Sequence, residues 1–232
     1  MQKILLLLLI LFLLNACSKN TVNTIDTISK PSESIEKAEE KIIMEASRLD
    51  MTEWLLPKKN SRVRGAHVSH VMVHFINDAQ RSPEEPYDLD KIYGLFEEYE
   101  VSAHYLIDRE GEIYLLVPED RAAFHAGKGH LLNYQDYHYG LNDYSIGIEL
   151  LAVGTKEEMS PNIPSDVYDQ IAPADIGYTD AQYKTLNLLL DDILKRNPGI
   201  KKDREHIIGH DEYAPVRKSD PGSLFDWSRI GL

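Results

Sequence analysis

Two short apolar segments constrain the fold of this chain more than any other feature. Residues 68–75 and 145–151 are rich in β-branched and apolar side chains, a composition typical of central strands. Asp88 and Thr179 each begin a segment whose apolar residues have helical spacing, and Thr179 with Gln182 has the spacing of a capping box. Strand and helix therefore alternate along the chain.

The segments between these elements complete the pattern. Residues 101–107 and 112–117 are predicted to be two strands joined by a hairpin turn at 108–111. Residues 205–210 are predicted to be a last short strand. Residues 121–144 have no periodicity, and we expect them to form a long ordered loop.

Length and charge limit the class of protein. With 232 residues the chain is long enough for one good-sized domain, and we expect one, as a monomer. The formal net charge is −13, from 25 Lys and Arg against 38 Asp and Glu, and no basic cluster interrupts the acidity. Proteins bind phosphate backbones through such clusters, so no nucleic-acid partner is expected.

The N-terminus departs from the ordinary composition of a soluble protein. Lys3 is followed by an apolar run at 4–14 and then by the single cysteine, Cys17, which has no second cysteine to pair with. This arrangement resembles the lipobox of bacterial lipoproteins, in which the chain is cut before the cysteine and the cysteine is acylated. An uncleaved membrane anchor is the alternative, but the run is well short of the roughly 20 residues that span a bilayer.

The lipobox implies a division of the chain into a signal peptide at 1–16, a lipidated Cys17 with a flexible tether at 17–50, and a folded domain at 51–232. The tether is polar and has too few large apolar residues to fold alone. Ser18, a non-acidic residue, resembles the signal for sorting to the outer membrane, facing the periplasm, in Gram-negative hosts. In a Gram-positive host the same anchor would hold the protein on the outer face of the cytoplasmic membrane.

The segment 209–222 concentrates polar groups that can take part in chemistry. It contains His210, Lys218 and Asp220 among Pro and Gly residues that disfavour a regular helix, so we predict a structured loop after the last strand. His74 lies near the end of the first predicted strand. If the two strands are neighbours, both imidazoles reach the same end of the sheet and, with Asp220, provide the three protein ligands of a catalytic zinc site. An ordinary polar loop is the alternative.

A zinc site of this kind would suit amide hydrolysis, because zinc lowers the pKa of bound water to about 7 and polarises a carbonyl oxygen. The reaction also needs a proton acceptor. Glu149 is the candidate, because a carboxylate inside an apolar strand is otherwise unfavourable to bury. Lys218 could offset negative charge on the tetrahedral intermediate. Taken singly, Glu149 could be an edge-strand carboxylate and Lys218 a solvated lysine.

Linked motifs in this chain resemble those of the type 2 N-acetylmuramoyl-L-alanine amidases. In chain order they are His74 after an apolar strand, Val-Ser-Ala-His-Tyr-Leu-Ile at 101–107, His-Ala-Gly at 125–127, Ser-Ile-Gly-Ile-Glu at 145–149, Gly-His at 209–210 and Arg-Lys-Ser-Asp-Pro-Gly at 217–222. The resemblance implies a peptidoglycan-recognition fold, an α/β fold with a mixed central sheet flanked by helices. It also implies a zinc amidase that cleaves the amide between N-acetylmuramic acid and L-alanine of peptidoglycan or muropeptides.

The resemblance also assigns roles to individual residues. It places the zinc ligands on His74, His210 and Asp220, the catalytic acid/base on Glu149 and the catalytic lysine on Lys218.

Five other positions are tied less directly to the chemistry. His125 and Asn142 lie in the loop that faces the substrate in relatives, and they are predicted substrate contacts. His104 matches a position whose expected role is structural. His206 and His70 each lie four residues before a predicted ligand, which places them on the same strand face, so only the motifs set them aside.

The sequence leaves other functions open. A non-catalytic peptidoglycan-binding lipoprotein would recognise the same polymer without cutting it, and a structural lipoprotein would bridge membrane and wall. A purely structural role would leave the set of predicted metal ligands and catalytic groups unexplained. The loss of a predicted metal ligand would favour the binding protein, and none is lost. Residues 152–177 are longer than the connection typical of the cytoplasmic recycling amidases, so the preference between intact and anhydro-muramyl substrates is also open.

Overall fold

The computed structural model describes residues 49–131 and 140–232, so the predicted signal peptide, Cys17 and nearly all of the tether lie outside the described residues. The strands are β1 (Thr52–Glu53), β2 (Ser61–Val63), β3 (His70–Ile76), β4 (Tyr105–Ile107), β5 (Ile113–Leu115), β6 (Arg121–Ala123), β7 (Ser145–Leu151) and β8 (Ile207–Gly209). The helices are α1 (Leu89–Tyr99), α2 (Leu141–Tyr144), α3 (Lys156–Met159), α4 (Ser165–Tyr168), α5 (Asp180–Arg196) and α6 (His210–Tyr213), with 3-10 turns at Lys58–Asn60, Pro173–Asp175 and Trp227–Ile230.

A mixed six-stranded sheet in the order β1-β5-β4-β7-β3-β8 forms the centre of the fold. Strand β3 runs parallel to β7 and β8, and β7 runs parallel to β4. The hairpin of β4 and β5 supplies the antiparallel pair. The predicted α/β class and mixed sheet are therefore confirmed, and β3 and β8 are neighbours, as the predicted zinc site requires.

One face of the sheet packs against α5. This helix begins at Thr179, whose hydroxyl accepts from the Gln182 backbone N–H while the Gln182 side chain accepts from the Thr179 N–H, so the predicted capping box is formed. The cluster on this face contains Val71, Val73, Ile146, Ile148, Leu150, Leu186, Leu189, Leu190 and Ile193. Burial of this apolar surface fixes which side chains of β3 and β7 point away from α5.

The opposite face carries polar side chains next to an apolar cluster. Alternation along β3 turns His70, Met72 and His74 to this face, and the parallel register sets His74 opposite Glu149 of β7. Helix α1 covers the adjoining part of this face with Ile92 and Phe96, which are buried. The carboxyl ends of β3, β7 and β8 therefore present polar groups at one end of the sheet.

Some observed strands are shorter than predicted. Strand β4 covers only Tyr105–Ile107 of the predicted strand at 101–107. The sequence predicts a last strand over 205–210, but β8 covers only Ile207–Gly209, because the Asp203 carboxylate accepts from the backbone N–H groups of Glu205 and His206 and forms a turn there. His210 accordingly begins one helical turn, α6, instead of ending a strand.

The segment 121–144 is not a loop throughout. Strand β6 pairs antiparallel with β2, and α2 ends the segment. These elements are only three and four residues long, and the partner of β6 lies about 60 residues earlier in the chain, so no local periodicity predicts them. In the part of the chain that the structure describes, no helix has the length and apolar character needed to cross a membrane.

Candidate metal centre and active site

His74, His210 and Asp220 converge at the carboxyl end of the central sheet. His74 lies near the end of β3, and His210 directly follows β8 as the first residue of α6. The loop after α6 returns to this point, where the carbonyl of Asp220 accepts from the backbone N–H of Asp211 at 2.7 Å. Ligands far apart in the chain are brought together because β3 and β8 are adjacent and parallel.

The three side chains form a compact, buried set of possible metal ligands. His74 Nδ1 lies 2.7 Å and His210 Nδ1 3.0 Å from the same oxygen of Asp220, Oδ2. One ligand atom from each residue lies within 4.8 Å of the other two, and all three residues are buried. Among the described residues no other group of three His, Cys, Asp or Glu has this geometry.

The chemistry of these donors fits a cation. His210 Nε2 lies 2.9 Å from the carbonyl oxygen of Ala126, which can only accept, so Nε2 carries the proton of a neutral ring. His210 Nδ1 is then a lone pair that faces the Asp220 carboxylate. Two lone-pair donors in contact repel unless a proton or a metal ion lies between them, and two His nitrogens with one carboxylate oxygen are ligands that zinc accepts.

The protonation states of Asp220 and His74 also suit metal binding. Burial opposes charge on Asp220, but its close contacts with His210 and His74 hold the pKa of its carboxyl well below its usual range. Burial lowers the pKa of the His74 imidazole to about 4. Near neutral pH, Asp220 is thus ionised and His74 is a neutral ring, as metal ligands must be.

Glu149 lies on the neighbouring strand, opposite His74 in the register of β3 and β7. The residue is half-buried, yet its Oε2 atom is enclosed and has no hydrogen-bond partner among the described residues. Burial, and after it the charge of Asp220, raises the pKa of the Glu149 carboxyl well above its usual value. This environment is typical of a carboxyl group that exchanges protons during a reaction.

Lys218 is exposed on the loop between α6 and Asp220. No hydrogen bond or ion pair joins its ammonium to another residue in the described part of the chain. Its positive charge nevertheless acts on the site. It offsets part of the rise in the pKa of Glu149, and it adds to the lowering of the pKa of His74. The structure therefore brings all five residues that the resemblance singled out to one end of the sheet.

His125 contacts a candidate metal ligand, His74, and Asn142 holds the backbone of His125. His125 is buried, with Nδ1 3.0 Å from His74 Nε2 and Nε2 3.1 Å from the hydroxyl of Ser145. Burial lowers the pKa of the His125 imidazole well below its usual value. The Asn142 side-chain oxygen accepts from the backbone N–H groups of His125 and Ala126. As substrate contacts, the two residues remain predictions.

Three other histidines, His104, His70 and His206, do not belong to the set of candidate metal ligands. His104 is buried beneath it, where Nδ1 accepts from the Gly147 N–H at 2.9 Å and Nε2 lies 3.1 Å from the Arg121 carbonyl. His70 and His206 stack on each other with ring centroids 5.6 Å apart, and the structure does not bring them to the ligands.

Glu158 supports the site although no sequence motif marks it as a functional residue. Its carboxylate accepts from the backbone N–H of Thr155 at 2.7 Å and from that of Ser223 at 2.6 Å, so it ties α3 to the loop that carries Asp220. The spacing of Thr155 and Glu158 is that of a capping box, and this signal could have identified the start of α3 but not the contact with Ser223.

Comparison with known proteins agrees with this geometry. The family model for N-acetylmuramoyl-L-alanine amidase matches residues 63–223. The chain is 40% identical over 130 residues to 1,6-anhydro-N-acetylmuramyl-L-alanine amidase AmpD of Citrobacter freundii, a match that covers 56% of this chain. That match spans only 55% of the relative's length.

Two solved structures have the same fold. The crystal structure of a selenomethionine derivative of AmpD superimposes with a TM-score of 0.58 and 31% identity, over 79% of this chain and 94% of that one. AmiD from E. coli, in complex with the substrate anhydro-N-acetylmuramic acid-L-Ala-D-gamma-Glu-L-Lys, superimposes with a TM-score of 0.51 and 28% identity, over 73% of this chain and 59% of that one. The chain therefore belongs to the N-acetylmuramoyl-L-alanine amidase family.

Proposed function

We propose that this protein is a zinc-dependent N-acetylmuramoyl-L-alanine amidase that acts in cell-wall turnover or recycling. It would hydrolyse the amide between N-acetylmuramic acid and L-alanine in peptidoglycan or its muropeptide fragments. The observation that carries this proposal is the convergence of His74 Nδ1 and His210 Nδ1 on one oxygen of Asp220, beside the enclosed carboxyl group of Glu149. The name of AmpD and the ligand of AmiD support the substrate class.

His74, His210 and Asp220 would hold the zinc ion, which when bound lowers the pKa of water and polarises a carbonyl oxygen. Glu149 would take the proton of the attacking water and return it to the leaving amine of L-alanine. A raised pKa suits this role, because the same group must hold the proton between the two steps. The ammonium of Lys218 would stabilise the negative charge that develops on the carbonyl oxygen.

The assay for this function uses defined muropeptides and mass spectrometry. The purified protein is incubated with intact and anhydro-muramyl peptides, with a zinc chelator, without it, and after zinc is restored. We expect release of peptides with a free N-terminal L-alanine, loss of release with chelator and recovery with zinc. The ratio of the two cleavage rates gives the preference between intact and anhydro substrates. Binding without cleavage by zinc-loaded protein would instead support the non-catalytic peptidoglycan-binding lipoprotein.

We also propose that Cys17 carries lipid and anchors the domain in the cell envelope, in the outer membrane facing the periplasm if the host is Gram-negative. The support is the lipobox-like sequence that ends at Cys17. Two or more acyl chains give stable membrane anchoring. Cys17→Ser should move the protein from the membrane fraction to the soluble fraction while its rate of muropeptide cleavage stays unchanged. Full retention of the variant in membranes would contradict the lipid anchor.

A further inference from the structure

Two consecutive residues supply the partners for both histidines of the metal centre. His74 and His210 each direct Nδ1 toward Asp220, so the Nε2 atom of each ring needs a different partner. His74 Nε2 lies 3.0 Å from His125 Nδ1, and His210 Nε2 lies 2.9 Å from the Ala126 carbonyl oxygen. The segment His125–Ala126 therefore contacts both rings on the side away from the carboxylate.

A chain of hydrogen bonds fixes the direction of the proton between His125 and His74. The Ser145 hydroxyl lies 2.6 Å from the Leu141 carbonyl, which can only accept, so Ser145 donates its hydrogen there. Its oxygen is then the acceptor for His125 Nε2 at 3.1 Å. A neutral His125 consequently has its proton on Nε2 and a lone pair on Nδ1. His74 must donate from Nε2, and this leaves its Nδ1 lone pair free to bind a metal.

The position of this acceptor segment is fixed from two sides. The Oδ1 atom of Asn142 accepts from the N–H of His125 at 3.1 Å and from the N–H of Ala126 at 2.8 Å. The His125 ring lies against Gly147 of β7, where a Cβ atom would stand 2.5 Å from the ring carbon Cγ. This contact restricts rotation or shift of the His125 ring. The two acceptors, His125 Nδ1 and the Ala126 carbonyl oxygen, belong to one backbone segment that Asn142 holds in place.

We propose that His125 and Asn142 are positioning residues that orient His74 and His210 for the metal, His125 as a hydrogen-bond acceptor and Asn142 through the backbone of residues 125–126. This inference rests on the proposed zinc site. Partners of this kind set the tautomer and the ring orientation of a ligand histidine, and their loss costs about 10- to 100-fold in metal affinity. Neither residue needs to contact the substrate for this role.

The direct test is the zinc affinity of the full chain, measured by competition with a chromophoric chelator. His125→Leu and Asn142→Ala remove the acceptors, and each should weaken zinc binding by about 10- to 100-fold. His125→Asn and Asn142→Asp keep an oxygen in the acceptor position and should recover most of the affinity. His206→Asn is the matched control, because His206 lies on the same face but contacts Asp203 instead of a ligand. It should bind zinc as the unsubstituted protein does.

The outcomes separate this inference from the proposed function. If the unsubstituted protein binds no zinc, the metal site and this inference both fail. If it binds zinc and both His125→Leu and Asn142→Ala, shown to be folded by circular dichroism, bind equally tightly, only this inference fails.

Imidazole ¹⁵N spectra test the proton arrangement independently of affinity. In the metal-free protein His125 should be protonated at Nε2, and Ser145→Ala should shift it toward protonation at Nδ1, because the variant removes the acceptor. Protonation of His125 at Nδ1 in the unsubstituted protein would overturn the inference.

Discussion

The carboxyl group of Glu149 occupies a position that opposes folding. Its Oε2 atom is enclosed and unpaired among the described residues, and burial with the nearby Asp220 charge raises its pKa. A buried polar atom without a partner costs about 1 to 3 kcal/mol, more when it is charged. A catalytic role explains why this cost is tolerated, since the unpaired atom can accept a proton from a reactant.

Glu149→Gln should therefore separate metal binding from catalysis. The amide has the same shape but cannot take up a proton, so we expect zinc content to be retained and kcat to fall by about 100- to 10,000-fold. Muropeptide kinetics and metal analysis on the same preparation measure both. His74→Ala is the companion variant, which should lose zinc and activity together. Near-normal turnover by Glu149→Gln would exclude Glu149 as the acid/base.

We expect His104 to make the folded protein sensitive to acid. Burial, and after it the charge of Arg64, lowers the pKa of its imidazole to about 3, whereas the unfolded chain has a pKa of about 6.5. Between these values the unfolded state binds a proton that the folded state does not, so stability falls as the pH falls below 6.5. At pH 5 the loss from this residue is about 2 kcal/mol, at 1.36 kcal/mol per pKa unit.

The variant His104→Asn tests this assignment, because Asn Oδ1 can still accept from the Gly147 N–H but does not titrate. The free energy of unfolding, from urea titrations at pH 7 and pH 5, should fall between the two pH values by about 2 kcal/mol less in the variant than in the unsubstituted protein. The comparison uses metal-free protein in both cases. An equal fall in the two proteins would show that His104 is not the source.

At the scale of elements, β7 combines a central strand with a close contact that only glycine allows. The face of β7 that meets the metal centre presents Ser145, Gly147 and Glu149, and the His125 ring fills the space above Gly147. Gly147→Ala places a methyl group 2.5 Å from His125 Cγ. Overpacking of this kind costs about 1 to 3 kcal/mol, and we expect zinc affinity to fall because His125 is displaced.

Gly94→Ala is the matched control for Gly147→Ala. Gly94 lies within α1, and nothing lies within 4 Å of the added Cβ atom. Alanine should stabilise this helix by about 0.5 to 1 kcal/mol and leave zinc binding unchanged. Thermal unfolding of the two variants should therefore shift in opposite directions, and a stabilising Gly147→Ala would contradict the packing described.

Helix α3 should influence the candidate metal centre through one residue, Glu158. The Glu158 carboxylate bonds to the Ser223 N–H, and the Glu158 carbonyl accepts from the Ser219 hydroxyl at 3.3 Å, so α3 contacts the loop on both sides of Asp220. Glu158→Ala should lower stability by about 1 kcal/mol through loss of the capping interaction and weaken zinc binding. The exposed neighbour Glu157 provides the control, and Glu157→Ala should change neither quantity. Equal zinc affinity in the two variants would exclude a role for the Glu158 carboxylate.

At the scale of the whole molecule, local patterns predict the main elements, and the resemblance identifies the candidate metal ligands. Helices α1 and α5, the β4–β5 hairpin and strands β3 and β7 follow from periodicity and capping, which involve neighbouring residues. The convergence of His74, His210 and Asp220 follows from the resemblance together with two adjacent parallel strands. The helices, strands and motifs each lie within a short segment, so the sequence of that segment is enough to predict them.

The contacts that support the ligands could not be predicted in this way. The acceptor for His210 is the backbone carbonyl of Ala126, a group that every residue has, so no side chain marks it in the sequence. The pairing of β2 with β6 and the contact of Glu158 with Ser223 join segments more than 50 residues apart and depend on the completed fold. The resemblance identifies His125 and Asn142 as residues of interest, but their contacts with His74 and the backbone depend on the three-dimensional fold.

The most direct test of the whole account is a crystal structure of the zinc-loaded protein with an anomalous difference map at the zinc edge. We expect one strong peak about 2.0–2.2 Å from His74 Nδ1, His210 Nδ1 and an Asp220 carboxylate oxygen, with Glu149 near the open position. His74 Nε2 should still contact His125, and His210 Nε2 the Ala126 carbonyl. A peak bound by other residues, or coordination through either Nε2 atom, would contradict it.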